Sequence, residues 1–160
     1  MHYVALLAVL ALTACASKND YIAPTREAGP VSSIKGYHER NGLADWVHAY
    51  IQMVDNKDVS YLFKDETDSE VLITPGAHRL VAYTAFNRGF SSPCPCETQA
   101  ELELTAKADT AYRLRIERDG LKVKHWIEEV STGSAATPVV TTDYRAQRAE
   151  TPIFIPIITN

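Results

Sequence analysis

Cysteine is scarce in this chain, three residues among 160, which rules out a fold held together by many disulfides. Beyond the first dozen residues no apolar run approaches the ~18 consecutive residues that a membrane-spanning helix needs. Neither sign of charge is concentrated: 16 basic and 20 acidic residues are interspersed, for a net charge of −4. That pattern gives no footprint for nucleic acid and no basic surface for anionic lipid headgroups. Catalytic signatures are missing too. There is no G-x-S-x-G elbow, no H-E-x-x-H pair and no phosphate-cradling glycine loop. No cofactor motif stands out. What remains is an ordinary globular composition, 46% hydrophobic and 22% charged, sufficient for one domain.

The N-terminus is the most informative stretch. Val4 to Leu12 is uninterruptedly apolar, too short to cross a bilayer but of the length of a signal-peptide core. Small residues follow it, as a cleavage site requires. Leu12-Thr13-Ala14-Cys15 resembles the lipobox of bacterial lipoprotein precursors. The resemblance implies a signal peptide over residues 1–14, cleavage before Cys15, and lipid (diacylglyceryl plus an acyl chain such as palmitate) on Cys15. Two or three chains, at ~0.8 kcal/mol per buried CH2, anchor a protein stably where one does not. The positive charge that usually opens a signal peptide is left here to the α-amino group and His2, unless the start codon lies upstream of Met1. Ala16 after the cysteine is similar to the enterobacterial sorting pattern for the outer membrane. The localisation implied is the cell outer membrane, lipid-anchored and facing the periplasm.

Residues 15–36 carry Pro24, Gly29, Pro30 and Gly36 without apolar periodicity, so the sequence predicts a lipidated cysteine followed by a flexible tether. From Tyr37 the pattern changes to period two. Val47, Ala49, Ile51 and Met53 form one strand face, and Trp46, His48, Tyr50 and Gln52 the other. Asp55 to Asp58 supplies turn formers, with Val59 to Phe63 as a partner strand. Val71 to Ile73 stops at Pro75-Gly76, and His78 to Phe86, apolar on both faces, suits a central strand. Leu102 and Leu104 alternate with Glu101 and Glu103. Tyr112, Leu114 and Ile116 alternate with Arg113, Arg115 and Glu117; Asp119-Gly120 then signals a hairpin into Leu121, Val123, His125 and Ile127. The expected fold is all-β: a small antiparallel sandwich of about seven strands over residues 37–133, with a C-terminal extension over 134–160. Pro152 and Pro156 in the apolar terminus bar that segment from a central strand.

Three segments resemble the PEGA-like group of small bacterial envelope domains: Ile51 to Lys57, Ile73 to Ala82, and Ala111 to Leu114 with Ile127 to Gly133. That resemblance implies a compact β-sandwich acting as a binding or structural module, with no catalytic residues to carry over. It points to a non-enzymatic lipoprotein whose partners are the membrane, through its lipid, and an envelope protein or glycan.

Cys94-Pro95-Cys96 is the most unusual local feature, since lipid on Cys15 would leave these two thiols as the only ones in the mature domain. In an oxidising compartment they can close a local disulfide, because residues two apart come within the ~4.4–6.8 Å Cα window. The alternative is periplasmic metal handling, copper or zinc held by Cys94, Cys96 and an imidazole such as His78, or thiol redox chemistry at the same pair. The loop Arg88 to Pro93 is then the expected functional surface. His78 and His125 read as structural, and Trp46 and Trp126 as packing on sheet faces.

Overall fold

A computed structural model describes residues 19–59, 69–90 and 94–146. The signal peptide expected over residues 1–14, Cys15, most of the strand expected over Val59 to Phe63 and the apolar C-terminus lie outside the described residues. Every described element is a strand: β1 (Ser32–Lys35), β2 (Tyr37–Arg40), β3 (Asp45–Val54), β4 (Lys57–Asp58), β5 (Glu70–Ile73), β6 (Gly76–Arg88), β7 (Cys96–Ala106), β8 (Ala111–Asp119), β9 (Lys122–Glu129), β10 (Val140–Asp143) and β11 (Arg145–Ala146). They form two packed sheets, ordered β10-β9-β8-β1-β5 and β11-β7-β6-β3-β2, with β4 added to β3. The all-β sandwich expected from the sequence is the fold. Its described strands number eleven rather than about seven, and β1 runs parallel to β8.

The sequence patterns explain most of the layering. In β7 each of Leu102, Leu104 and Ala106 is buried while Glu101, Glu103 and Thr105 face out, a strict two-residue period with one wet face. β6 lies between β3 and β7, the central place its double-sided apolar character demands. Residues from both inner faces meet in the main core, among them Ile34, Ile51, Leu80, Leu102, Tyr112, Leu114 and Ile127. A second cluster fills one end: Val47, Phe86, Val123 and the paired Cys94 and Cys96.

Three expectations need correction. First, the tether does not extend to residue 36. Tyr21 is buried, with its amide donating to the Asp58 carbonyl (2.8 Å) and its hydroxyl to the Leu72 carbonyl (3.0 Å). Burial, then the nearby Asp55 carboxylate, pushes this phenol up to about 12. Val31 and Ile34 are buried, and β1 sits inside its sheet. Buried serines disguise it, because Ser32 and Ser33 give no apolar signal; Ser32 Oγ donates to the Lys107 carbonyl, and the Ser33 amide to the Thr110 carbonyl (3.1 Å). Second, residues 134–146 belong to the sandwich rather than to an extension. β10 pairs with β9 and β11 with β7, while Thr137 Oγ1 accepts the Ile127 amide at 3.0 Å. Third, a bulge between Ile51 and Met53 inserts one extra residue opposite β6, so Val54 instead of Met53 enters the core.

Two turns also differ from expectation. Asp55 and Asn56 both take positive φ (51° and 65°), so these two residues alone close the β3–β4 hairpin, in the primed form that suits strand twist. The β8–β9 loop is Gly120-Leu121, one residue later than Asp119-Gly120, since Asp119 pairs with Lys122. Leu121 is therefore an exposed turn residue and not a strand residue.

At Gly36 the chain leaves one sheet as β1 and enters the other as β2. A Cβ there would stand 2.0 Å from Ser69 Oγ and 2.6 Å from the Ala49 carbonyl oxygen, so only glycine fits the crossing. Tyr144 marks a similar crossing between β10 and β11 on the opposite side.

Candidate functional site

The outer face of the sheet built on β3 and β6 carries an unusual set of side chains for a wet surface. Inward burial of Val47, Ala49 and Ile51 turns Trp46, His48 and Tyr50 outward, as strand alternation requires. The pairing registers then extend each position sideways. His38 of β2 lies opposite His48, and Arg40 opposite Trp46. On the other side of β3, Tyr83 of β6 faces Tyr50 and Ala85 faces His48; Gln99 and Glu97 of β7 continue those two rows. The bulge re-aims Gln52 so that its Oε1 accepts Gln99 Nε2 at 2.7 Å.

Ring contacts hold the aromatics in place. Trp46 meets the His48 ring edge-on at 5.1 Å, and the Tyr50 and Tyr83 rings lie 5.4 Å apart. The Nδ1 atoms of His38 and His48 are 3.2 Å apart. Tyr83 donates its hydroxyl to Glu97 Oε2 (2.9 Å), while Arg145 Nε donates to Glu97 Oε1 (2.9 Å). The result is a platform of one indole, two phenols and two imidazoles, its touching rings tilted 44–72° to one another, edged by amides and one paired carboxylate. Such a surface can take a ligand laid across it, since it offers ring surface beside fixed donors and acceptors. Strand alternation made Trp46, His48 and Tyr50 visible in the sequence. His38, Tyr83 and Gln99 were missed, because their membership depends on pairing register.

The cysteine pair is elsewhere. Cys94 and Cys96 form a disulfide with Cα atoms 4.5 Å apart, both residues buried against Val47, Phe86 and Val123. His78 is not near them: it pairs with Leu104 and Cys96 pairs with Phe86, eight strand residues away, or about 26 Å. His78 instead ties two turns together. Its Nδ1 is 2.8 Å from Asp55 Oδ2 and its Nε2 is 2.8 Å from the Thr74 carbonyl oxygen. Burial works to raise the Asp55 carboxyl, but the Arg79 amide and the His78 ring outweigh it and hold the group below its usual range. The ligand set Cys94, Cys96 and His78 is therefore not assembled. Among the described residues, no three His, Cys, Asp or Glu side chains are grouped so as to hold a metal ion.

The remaining candidates separate in the same way. His125 is fully buried, His48 lies on the outer face of the other sheet and His78 sits at a turn, so these imidazoles share no pocket. A Ser-x-x-Lys spacing occurs at Ser32 to Lys35, but on a strand residues three apart face opposite ways: Ser32 is buried and Lys35 exposed. Glu128 and Glu129, adjacent on β9, likewise point to opposite faces. Glu128 is nearly buried beneath Arg113 and Arg115, and Glu129 accepts Lys107 Nζ at 2.6 Å. Trp126 lies on the outer face of the second sheet, opposite Arg115. Of the loop expected to bear function, Arg88, Gly89 and Phe90 are described, and Phe90 is 91% exposed. An open groove of about 770 Å3 runs beside β7, between Leu102 and Leu104 and the segment containing Pro138 and Val140.

No protein-family model matches the chain, and neither a curated protein nor a solved structure matches it.

Proposed function

We propose that this protein is a non-enzymatic envelope lipoprotein, a lipid-anchored β-sandwich that binds a protein or glycan component through the outer face around Trp46. The observation that carries the reading is the row of Trp46, His48, Tyr50 and Tyr83 across two adjacent strands on a solvent face. Aromatic side chains of this kind supply large contact area with little rotamer entropy to lose, which is why they dominate recognition surfaces. The lipobox-like Leu12 to Cys15 supports the anchor, and the sandwich architecture is compatible with the PEGA-like resemblance. On this reading the cell outer membrane, seen from the periplasm, is the site of action.

The early entry of the chain into the fold changes the geometry of anchoring. Asn19 Nδ2 donates to the Asn56 carbonyl, and Asp20 bridges Asp58. Three residues separate Cys15 from Asn19, four Cα steps that span at most about 14 Å when fully extended. The lipidated protein therefore holds the Asp55-Asn56 end of the sandwich against the headgroups, and its strands run away from the membrane.

Two measurements test the reading. Replacing Cys15 with Ser should abolish palmitate labelling and leave an uncleaved precursor; a labelled, processed variant would sink the anchor. In crosslinked envelopes, Trp46→Ala/Tyr83→Ala should lose the partner recovered by the parent protein while retaining its lipid. Recovery unchanged by that pair would move the site off this face.

A further inference from the structure

The His38–His48 pair has a geometry that the platform alone does not require. These residues face each other across β2 and β3, and their Nδ1 atoms converge at 3.2 Å on the solvent side. Two neutral imidazoles can meet this way only if one Nδ1 carries the proton and the other accepts it. Two nitrogens at that spacing, each 2.0–2.1 Å from a shared ion, would subtend about 100° there. That angle lies between the cis angle of a square plane and the tetrahedral angle, the two geometries that Cu(II) and Zn(II) prefer.

We infer that His38 and His48 form a two-imidazole chelate for a divalent transition-metal ion, Cu(II) foremost, with water in the other positions. On binding, the ring that carries its proton on Nδ1 moves it to Nε2. Both Nδ1 lone pairs then face the ion, and the neutral pair releases no net proton. Each half of the site is held firmly. β2 and β3 are hydrogen-bonded in register over Tyr37–Arg40, and the edge contact with Trp46 fixes the His48 ring. His38 is exposed, so an ion and its waters reach the pair without the sheet opening. Imidazole selects copper and zinc over calcium or magnesium, and the order of divalent affinities places Cu(II) first. The site is distinct from the Cys94–Cys96 pair, and it stands whether or not Cys15 carries lipid.

Trp46 provides the readout, because its ring lies 5.1 Å from that of His48, close enough for bound Cu(II) to quench its emission. The test uses the untagged full chain carrying Cys15→Ser and His2→Ala, so that a free thiol and the N-terminal imidazole do not compete. Titration with Cu(II) at pH 7.5 should saturate at one equivalent and quench the emission. Trp46→Phe should remove most of the quenching, and electron paramagnetic resonance should report nitrogen ligands. His38→Ala and His48→Ala, each a surface change, should lose at least about tenfold in affinity while the apo protein keeps its melting temperature. Zn(II) should compete at higher concentration. Parental affinity in the His38→Ala/His48→Ala double variant, or no uptake of Cu(II) by the parent at micromolar concentrations, would overturn the assignment.

Discussion

His125 Nε2 on β9 and Thr84 Oγ1 on β6 share a hydrogen bond of 3.0 Å through the interior, joining the two sheets where both residues are fully buried. Burial drives the imidazole down to about 4, the carbonyls of Val140 and Val123 acting weakly against it, and its Nδ1 has no well-aligned partner. The ring is therefore neutral in the folded protein at pH 7.

Stability should fall on acidification through this residue. The unfolded chain takes up a proton near pH 6.5, the folded one only near pH 4, so between these values the unfolded state binds more protons. The contribution is complete above pH 6.5 and is lost as pH drops towards 4, roughly 3 kcal/mol in all. Denaturant unfolding at several pH values should show that slope. His125→Leu should flatten it, at the cost of leaving Thr84 Oγ1 without its partner.

Gly36→Ala should destabilise the protein by roughly 2–3 kcal/mol, because the new Cβ overlaps Ser69 Oγ and the Ala49 carbonyl. Adding Ser69→Ala removes only the first overlap. The double variant should recover part of the loss in a thermal melt and stay below the parent, since the backbone carbonyl cannot move aside.

Cys94→Ala/Cys96→Ala should cost about 2–4 kcal/mol. Opening a three-residue ring accounts for roughly 1.5 kcal/mol of this in the chain-entropy view, and loss of packing against Phe86 and Val47 for the rest. Thiol titration of the native Cys15→Ser protein should find no reactive thiol, and two should appear only after denaturation in the presence of a reductant. Two thiols reacting in the folded state would contradict the buried pair.

Asp55→Ala should cost roughly 1–2 kcal/mol by removing acceptors for the Arg79 amide (2.9 Å) and the His78 ring. Because the folded carboxyl is held below its unfolded value, this contribution is present above the usual Asp range and lost as pH falls through it. The variant should therefore differ from the parent in stability at pH 7, and the gap should narrow as pH falls below the usual Asp range.

Strand alternation made much of this architecture readable in the sequence. The period-two run from Leu102 to Ala106 and the central character of His78 to Phe86 both rest on one strand's own residues. Long-range features were not legible. β1 hides behind buried serines whose partners, Lys107 and Thr110, lie over seventy residues away. The bulge at Gln52 shifts the burial of Met53 and Val54 through its mismatch with β6, a strand that local pattern cannot see. The site shares this division. Trp46, His48 and Tyr50 fall on one face by counting, whereas His38 joins them only through the register of β2 against β3.

The passage of β1 into β2 at Gly36 and of β10 into β11 at Tyr144 has a mechanical consequence. Each crossing is a covalent stitch between the two sheets, one towards either side of the sandwich, so neither side can gape like the free edge of a book. Force or heat that parts the layers must first tear strands out of both of them. Unfolding should accordingly follow one all-or-none course, and a half-open form that exposes the interior should never accumulate.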